Sequence, residues 1–446
     1  GLKEYAAVIA PVALAIDDST GEVLVENRHD FRSLEHVQAS WSLLADGNVV
    51  DSGRLTLPTV PAGQQRTVEA PVEAPSDGRE YRLVVRASLA GSTPWADAGH
   101  EIATADVTLP GNANEETQWP VSNPSLDLDE SEAAIHVSGS DFELVFARAT
   151  GAIDSMTYRG REIIESGPAV NLWRAPTDND RGLPDDRRQL TGSDAGDGLL
   201  AGEYWERSFE DFWREYALDD LRLRVDDVDA YLTDGGARVD VAGRLAPPMY
   251  DHGFVLEQSY TVAGTGAVTV ETKLSPDGDF SQLPTLPRVG LVSKHPGDLD
   301  QVTWYGRGPG ESYVDSKAGT LVGRSKRSVA DLHTRYIRPQ HNGNRTDVRW
   351  VTLTDNHGVG LRVSGPGLND FSAHDYTIED LEAATHAYDL PRQNMTTLTI
   401  DHDHCGLGSG SCGPWTRPEY RVPVDEYAFT IELRPVSADG RYVSSL

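Results

Sequence analysis

Residues that could hold a metal ion stand close together near the end of the sequence. His402, His404 and Cys405 belong to the string DHDHC, and Cys412 follows in a glycine-rich stretch. Imidazole and thiolate groups are good ligands for zinc and copper, but this spacing matches no structural zinc pattern. We therefore predict no metal site in this chain, and we interpret the two cysteines as reduced thiols at the end of a strand.

Strict alternation along this strand would sort its polar side chains by face. Successive side chains of a strand point to opposite sides of the sheet. Asp401 and Asp403 are therefore expected on one face, and His402 and His404 on the other.

A pair of residues with glycosidase chemistry occurs at Asn114-Glu115. The carboxylate of a retaining glycosidase must sit in a pocket that fixes its geometry and raises its pKa. This pair instead lies in the string GNANEETQWPVSNPSLDLDE, whose polar composition is typical of a linker. The sequence also carries no GxSxG, Walker or HExxH motif, and we assign no catalytic residue in this chain.

Aromatic side chains could form the stacking face of a sugar site. For any one tryptophan taken alone, a core position in a β-sandwich is the more common role. Both roles stay open for six of them: Trp173, Trp205, Trp213, Trp304, Trp350 and Trp415.

The elements that must position these residues are mostly short strands. From residue 1 to about 110, apolar and polar residues alternate in GEVLVENR, VQASWSLLADG, RLTLPTV and EYRLVVRASLAG. Asp46-Gly47, between two of these runs, indicates a tight hairpin. The pattern predicts a small antiparallel sandwich over residues 1–110.

Strand patterns resume after a predicted linker at residues 111–130 and continue to residue 446. Helical patterns are scarce, and residues 210–224 and 377–388 are the two candidates. A strand-rich region of this length predicts a large sandwich of two antiparallel sheets over residues 131–446. The regular alternation of strands and helices that a (β/α)8 barrel requires is absent from the sequence.

Charge restricts the partners of the chain. It has 39 Lys and Arg against 70 Asp and Glu, so its formal net charge is −31. Nucleic acids and anionic membranes attract clustered positive charge, and this composition predicts neither partner. No run approaches the ~20 apolar residues that span a bilayer. The first residues do not resemble an export signal, so we expect a cytoplasmic protein.

Several strings resemble, in order along the chain, the C-terminal domain of family 2 β-galactosidases. They are NLWRAPTDNDRG, WYGRGPGESYVDSKAGTLVGR, RPQHNGNRTDVRW, DFSAHDYTIEDLEAATHAYDL and LTIDHDHCGLGSGSCGPWTRPEYRV. In the family that domain is a large two-sheet sandwich, similar in fold to galactose mutarotases. VENRHDFRSLEHVQASWSLLADGNVVDSGRL and PWADAGHEIATADVTLP resemble the start and end of the immunoglobulin-like domain that precedes it.

The resemblance implies an all-β chain, with an immunoglobulin-like sandwich over residues 1–110 and the mutarotase-like sandwich after the linker. It implies the C-terminal part of a retaining β-galactosidase that hydrolyses terminal β-D-galactosides such as lactose. The family's sugar-binding N-terminal domain and catalytic barrel have no counterpart here. That barrel supplies two catalytic Glu residues and the ligands of magnesium and sodium ions.

The resemblance implies four further expectations. The chain alone is inactive, and it binds no cofactor. Its partners are the β-galactoside substrate and the barrel and N-terminal domains, which lie in the same chain or in a large subunit. The whole enzyme is expected to be a homo-oligomer.

Two segments are implied to complete the wall of the active site. In the family, a glycine-rich loop near the C-terminus reaches the barrel's pocket, and in several members a Trp there stacks on the aglycone. Aligning GLGSGSCGP with this loop places Cys412 at the Trp position, and Trp415 is the alternative stacking residue. Arg181 and Gly182 match residues near the active-site mouth. Residues 178–180 before them are more typical of a turn held by side-chain-to-backbone hydrogen bonds.

The resemblance also predicts a structural role for the string YGRGPGESYVDS. Arg307, Glu311, Tyr313 and Asp315 are expected there as buried polar side chains, which must be paired with hydrogen-bonding partners.

Two alternatives to this interpretation remain. One is a stand-alone mutarotase-like sugar epimerase, which needs a His acid and a carboxylate base that meet across the concave face. His341 with Glu311 is the candidate pair, and Arg345 is a further candidate on that face. The other alternative is a carbohydrate-binding module without catalysis.

Overall fold

The computed structural model of the chain describes residues 2–73, 75–110, 125–182 and 207–437. The chain divides into two compact units. One consists of Gly1–Gln118, Tyr305–Ser312 and Ser316–Ser325, and the other of Trp119–Trp304, Tyr313–Asp315 and Lys326–Leu446.

Strands dominate both units. Within the described ranges, the α-helices are α1 (Leu2–Val8), α2 (Asp178–Arg181), α3 (Phe209–Glu215), α4 (Val329–Leu332) and α5 (Ile378–Ala383). The first strands are β1 (Val12–Ile16), β2 (Glu22–Asn27), β3 (Val37–Ala45), β4 (Asn48–Leu55), β5 (Gln65–Glu69), β6 (Tyr81–Leu89) and β7 (Glu101–Thr108). They are followed by β8 (Asp127–Glu130), β9 (Ala134–Ser138), β10 (Phe142–Ala147), β11 (Ala152–Tyr158), β12 (Arg161–Ile164) and β13 (Ser166–Asn171). The remaining strands are β14 (Arg222–Thr233), β15 (Gly236–Ala246), β16 (Gly253–Val262), β17 (Val268–Asp277), β18 (Arg288–Pro296), β19 (Gln301–Gly308), β20 (Leu321–Ser328), β21 (Arg345–Thr354), β22 (Gly360–His374), β23 (Met395–His404) and β24 (Tyr427–Val436).

Two small antiparallel sheets build the first unit. Their strand orders are β1-β2-β5 and β4-β3-β6-β7. Val23 and Val25 from one sheet share a core with Trp41 and Val85 from the other. The predicted hairpin at Asp46-Gly47 is confirmed, since both residues have the positive φ that a tight two-residue turn requires. The immunoglobulin-like assignment of this sandwich stays a prediction.

The second unit is the large two-sheet sandwich that the sequence predicts, and this fold class is confirmed. A five-stranded sheet, β12-β11-β10-β9-β8, shares a core with a sheet whose main path is β13-β18-β23-β22-β24-β17-β16-β15-β14. Every strand pair of the described residues for which the register is known is antiparallel. Apolar side chains from both sheets fill the space between them, among them Phe146, Tyr260 and Phe371.

The stretch predicted as a linker ends before residue 130. Asp127–Glu130 forms β8, which pairs with β9. Residues 111–124, including Asn114-Glu115, lie outside the described residues.

The two helical candidates are shorter than their patterns suggest. Helix α3 begins after Ser208, whose hydroxyl accepts a hydrogen bond from the N–H of Asp211 in a reciprocal capping box. It ends at Glu215, and from Arg222 onward the chain is strand β14, so the C-terminal part of the predicted helix is wrong. The alternation in RLRVDDV explains this outcome, because it matches a strand period. Helix α5 has the same capping arrangement, formed by Thr377 and Asp380.

Strict alternation along β23 is also wrong. Gly290 of β18 pairs with Asp401, and its neighbour Val289 pairs with Asp403, so His402 is an additional residue in a β-bulge. Asp401 and His404 are consequently both buried, whereas His402 and Asp403 are exposed.

The bulge brings a carboxylate into the interior beside a cation. Nε of Arg288 donates to Asp401 at 2.9 Å, and both side chains are fully buried. Gly290 permits this arrangement, because a Cβ there would lie 2.2 Å from the Asp401 carboxylate. The buried charges therefore depend on a glycine in the neighbouring strand.

Neutral histidines are a second feature of this interior. Burial lowers the pKa of His295 to about 4 and that of His374 to about 3. His341 and His404 are also fully buried, and burial holds the pKa of each well below 6.5. In His295, Nδ1 lies 2.6 Å from the Ile163 carbonyl and Nε2 lies 2.8 Å from the Ser293 hydroxyl, which suits one neutral tautomer.

The lowered pKa values of these histidines predict that the protein becomes less stable on acidification. The folded-state pKa is lowered, so the unfolded chain binds more protons below pH 6.5. Each neutral histidine therefore makes its full contribution to stability above pH 6.5. The free energy of unfolding decreases as the pH falls toward 4, and at pH 5 the loss is about 2 kcal/mol per histidine. His295→Gln is expected to reduce the loss between pH 7 and pH 5, measured by urea unfolding. The exposed His357→Gln is the control and should leave it unchanged, and an equal loss in both variants would contradict the prediction.

Candidate functional site

A buried ion pair forms the base of the candidate site in the second unit. Arg174 is 0 % exposed and Asp180 is 1 % exposed. The guanidinium meets both carboxylate oxygens, with Nη2 2.6 Å from Oδ1 and Nε 3.1 Å from Oδ2. Burial lowers the pKa of the Arg174 guanidinium, whereas the nearby Asp180 carboxylate raises it. The net effect is a pKa above the usual value of arginine. Arg174 also donates to the carbonyls of Cys405 at 2.6 Å and Gly406 at 3.1 Å.

The same carboxylate determines where helix α2 begins. Asp180 Oδ2 accepts from the N–H of Thr177 at 2.8 Å, and the Thr177 hydroxyl accepts from the N–H of Asp180 at 3.2 Å. This reciprocal capping box fixes a helix of only four residues. Gly182 ends the helix with a φ of 69°, and its N–H donates to the carbonyl of Asp178 at 3.2 Å.

A second segment, residues 406–414 with the sequence GLGSGSCGP, is termed the glycine loop. Its tip is bound to α2 by the side chain of Asn179. The amide Nδ2 donates to the Gly408 carbonyl at 2.8 Å, and Oδ1 accepts from the hydroxyl and the N–H of Ser411 at 2.7 and 3.2 Å. A Cβ at Gly410 would lie 2.4 Å from the Asn179 carbonyl oxygen. Two segments that are far apart in sequence thus form one surface.

The base of the glycine loop is bound by Asp315. Its carboxylate accepts from the N–H of Leu407 at 2.9 Å and from that of Gly408 at 2.7 Å. Gly406 allows this approach, because a Cβ there would lie 2.7 Å from the carboxylate. The loop therefore has a defined conformation that its glycines permit, although its composition alone is that of a flexible linker.

The structure distinguishes the two residues predicted to stack on sugar. Cys412 is exposed on the turn at the tip of the glycine loop. Trp415 is half-buried, and its ring packs against Phe209 at 5.0 Å and Phe212 at 5.9 Å between centroids. The Arg421 guanidinium lies 5.8 Å from the same ring. Trp415 thus anchors the loop by ring packing, and Cys412 is the more exposed of the two side chains.

Arg181 and Gly182 lie at the C-terminal end of α2, close to Asn179 in sequence. The Arg181 side chain is 13 % exposed and forms ion pairs with Glu210 at 3.6 Å and Asp178 at 3.9 Å. Burial, and then the positive charge of Arg338, lower the pKa of Arg181. The predicted site residues Arg181, Gly182 and Cys412 therefore belong to segments that the hydrogen bonds of Asn179 join.

Polar residues of the YGRGPGESYVDS string differ in burial. Tyr313 is 1 % exposed, whereas Arg307, Glu311 and Asp315 are half-buried. The expectation of burial is therefore confirmed for Tyr313 and wrong for the other three.

His341 and Arg345, proposed above for a sugar site, are both buried. His341 lies 4.7 Å from His404 between ring centroids. The cavity beside it has a volume of about 10 Å³ and is lined by Arg288, Ser372 and His374 among others. A space of this size admits about one water molecule and excludes a sugar ring.

Most of the candidate tryptophans are core residues. Trp173, Trp213, Trp304 and Trp350 are all less than 10 % exposed, and Trp205 lies outside the described residues. The two cysteines are free thiols, as predicted. In the described part of the chain, no group of three or more His, Cys, Asp or Glu side chains could hold a metal ion.

Arg174 is a buried residue that organises the candidate site and that sequence reasoning missed. Its acceptors at Cys405 and Gly406 lie more than 200 residues away in sequence, so no local pattern connects them. The only local signal is the T-x-x-D spacing of Thr177 and Asp180, which is typical of a helix N-terminus.

Comparison with known protein families identifies the family to which the chain belongs. Residues 138–433 match the family described as beta galactosidase small chain. The chain belongs to this family. Residues 23–110 match a second family, described as beta-galactosidase, domain 4.

Relatives of the chain include longer β-galactosidases. The chain is 29% identical to the enzyme of Priestia megaterium over 429 residues, which is 95% of this chain and 38% of that relative. It is 28% identical to the enzyme of Arthrobacter sp. (strain B7), over 97% of this chain and 42% of the relative. The chain therefore spans about two fifths of the length of these enzymes.

Solved structures give a weaker likeness. A putative aldose 1-epimerase from Escherichia coli K12 has a TM-score of 0.35 and 10% identity, over 70% of this chain and 100% of that chain. Galactose 1-epimerase from Lactobacillus acidophilus NCFM also has a TM-score of 0.35, with 9% identity, over 70% of this chain and 99% of its own. These scores carry no argument about activity. Among the described residues, no helix is long and apolar enough to cross a membrane.

Two carboxylates of α2 provide a matched test of the ion pair. Asp180→Asn is expected to lower the free energy of unfolding by about 3 kcal/mol or more, because it leaves the buried Arg174 cation without its counter-ion. Asp178→Asn removes an equal charge from the same helix, but this side chain is 57% exposed, and the loss should stay below about 1 kcal/mol. Urea unfolding measures both. Similar losses in the two variants would contradict a central role for the buried pair.

Proposed function

We propose that this chain is the C-terminal part of a retaining β-galactosidase that hydrolyses terminal β-D-galactosides such as lactose. The chain completes the wall of an active site whose catalytic carboxylates lie in a barrel outside this sequence. Membership of the small-chain family and the length of the related enzymes support the proposal.

The observation that carries the proposal is the ordered surface formed by α2 and the glycine loop. Its polar anchors, Arg174, Asp180 and Asp315, form hydrogen bonds within the unit and fix the backbone of both segments. This arrangement leaves Cys412 exposed at the tip. A wall that must hold a substrate against groups on another domain needs such a fixed backbone, because misplacement by 1 Å can lower a rate substantially.

The division of chemistry follows from this placement. In the resembled family, one Glu of the barrel protonates the glycosidic oxygen, and a second attacks the anomeric carbon to form a covalent galactosyl-enzyme. The residues of this chain contribute no proton transfer in the proposal. Arg181, Gly182 and Cys412 contact the aglycone side of the substrate, and Trp415 anchors the glycine loop. The thiol of Cys412 offers a smaller apolar surface than an aromatic ring, so it holds an aglycone sugar less tightly.

Partners and cofactors follow from the same proposal. The barrel and the N-terminal sugar-binding domain are the necessary partners, in the same chain or in a large subunit, and further copies assemble a homo-oligomer. Magnesium and sodium ions are held by those other domains and not by this chain. The cytoplasmic location remains part of the proposal.

A stand-alone epimerase or sugar-binding module is less favoured. An epimerase needs a cavity for the sugar at its acid and base, and the cavity beside His341 has room for about one water molecule. Burial and neighbouring positive charges also hold the pKa of His341 well below 6.5, so this side chain is a poor proton donor near neutral pH.

Complementation tests the proposed function directly. The purified chain is expected to give no hydrolysis of a chromogenic β-galactoside. Mixing it with a fragment that carries the barrel and N-terminal domain should restore activity, because the mixture then holds both the carboxylates and the missing wall. Unfolded chain is the control for non-specific effects. Activity of the chain alone, or a fully active fragment without it, would contradict the proposal.

A further inference from the structure

The inference concerns Asn179, which connects the two segments of the proposed substrate wall. Its amide group forms three hydrogen bonds with the glycine loop, two to Ser411 and one to Gly408. Its backbone continues through α2 to Arg181 and Gly182. Asn179 itself is half-buried below the loop, whereas Cys412 at the tip is exposed.

Beyond Gly408, whose N–H donates to Asp315, the tip of the glycine loop is joined to α2 by these side-chain hydrogen bonds. Residues 408–413 are glycine, serine and cysteine, which bury no large apolar side chain. Within the loop, the N–H groups of Cys412 and Gly413 donate to the Ser409 carbonyl, at 2.9 and 2.6 Å. These local bonds shape the turn. They do not fix its position relative to the rest of the unit.

We propose that Asn179 is a positioning residue that sets the affinity of the enzyme for the aglycone sugar. It does so by holding the glycine loop, and with it Cys412, in the conformation that contacts the sugar. This inference rests on the proposed function. It specifies the substrates that depend on the loop: galactosides whose leaving group is itself a sugar, and sugars that accept a galactosyl group.

The selectivity follows from the entropy of loop ordering. A loop that is already ordered binds a ligand without a further loss of conformational freedom. Without the Asn179 amide, each binding of an aglycone sugar must also order the tip. Binding of the galactosyl half does not involve the loop, so a substrate with a very small leaving group, such as β-galactosyl fluoride, is insensitive to the change.

A spin label tests the positioning step on the chain alone. Cys412 is exposed, whereas Cys405 is buried and burial raises the pKa of its thiol to about 11, so a thiol-reactive nitroxide modifies Cys412 selectively. We expect a restricted spectrum in the unmodified sequence and a clearly more mobile one in Asn179→Ala. Ser411→Ala, which removes one of the three bonds and leaves α2 intact, should give a smaller shift. The exposed Asn394→Ala is the control and should give none.

Kinetics test the consequence in the enzyme assembled with its other domains. Asn179→Ala is expected to raise KM for lactose roughly three- to tenfold with little change in kcat. Its kcat/KM for β-galactosyl fluoride should stay within about twofold of the parent value. Ser411→Ala should raise KM for lactose less than Asn179→Ala does. If the Asn179→Ala variant fails to assemble, the Ser411→Ala variant tests the same effect on KM.

The outcomes separate the inference from the proposed function. An unchanged nitroxide spectrum in Asn179→Ala and Ser411→Ala would overturn the positioning role, whatever the enzyme does. A mobile label with equal losses for lactose and galactosyl fluoride would show that the loop supports the whole site and would overturn the selectivity. A parent assembly that hydrolyses no galactoside would overturn the proposed function and the kinetic part with it, but not the positioning of the loop.

Discussion

Arg174 must find its hydrogen-bond acceptors inside the protein, because its side chain has no access to solvent. Asp180 supplies the counter-charge, and the carbonyls of Cys405 and Gly406 accept two more hydrogen bonds from the guanidinium. A buried charge without a partner is strongly destabilising, so each of these groups constrains the others. Asp180 caps the N-terminus of α2, and Gly406 is the first residue of the glycine loop. The geometry of the candidate site is therefore a consequence of satisfying one guanidinium.

The glycine loop shows why composition alone is a poor guide to flexibility. A run of glycine and serine is typical of a mobile linker. Here three of its glycines are required by close approaches: Gly406 to the Asp315 carboxylate, Gly410 to the Asn179 backbone, and Gly408, with a φ of 60°, to Thr416. Side chains at these positions would push the loop away from its anchors. The glycines thus allow dense packing, which gives an ordered wall without bulky residues.

Part of this arrangement was predictable from sequence. Alternating patterns predicted the antiparallel sandwiches, and Asp46-Gly47 predicted its hairpin, because these signals are local. The family resemblance identified the glycine loop and the end of α2 as candidate parts of the active-site wall. The β-bulge at His402 was not predictable from its own strand, since it depends on Gly290 of the neighbouring strand. The pairing of Arg174 with carbonyls more than 200 residues away was also beyond local patterns.

In the proposed β-galactosidase, the tip of the glycine loop borders the aglycone side of the active site. An affinity label tests it most directly: N-bromoacetyl-β-D-galactosylamine, in which the Cys412 thiolate would displace bromide to form a thioether. Mass spectrometry would follow modification of Cys412 in the assembled enzyme and in the chain alone. The account predicts much faster alkylation in the assembly, with protection by a non-hydrolysable thiogalactoside. Equal rates in both samples, or no protection, would contradict it.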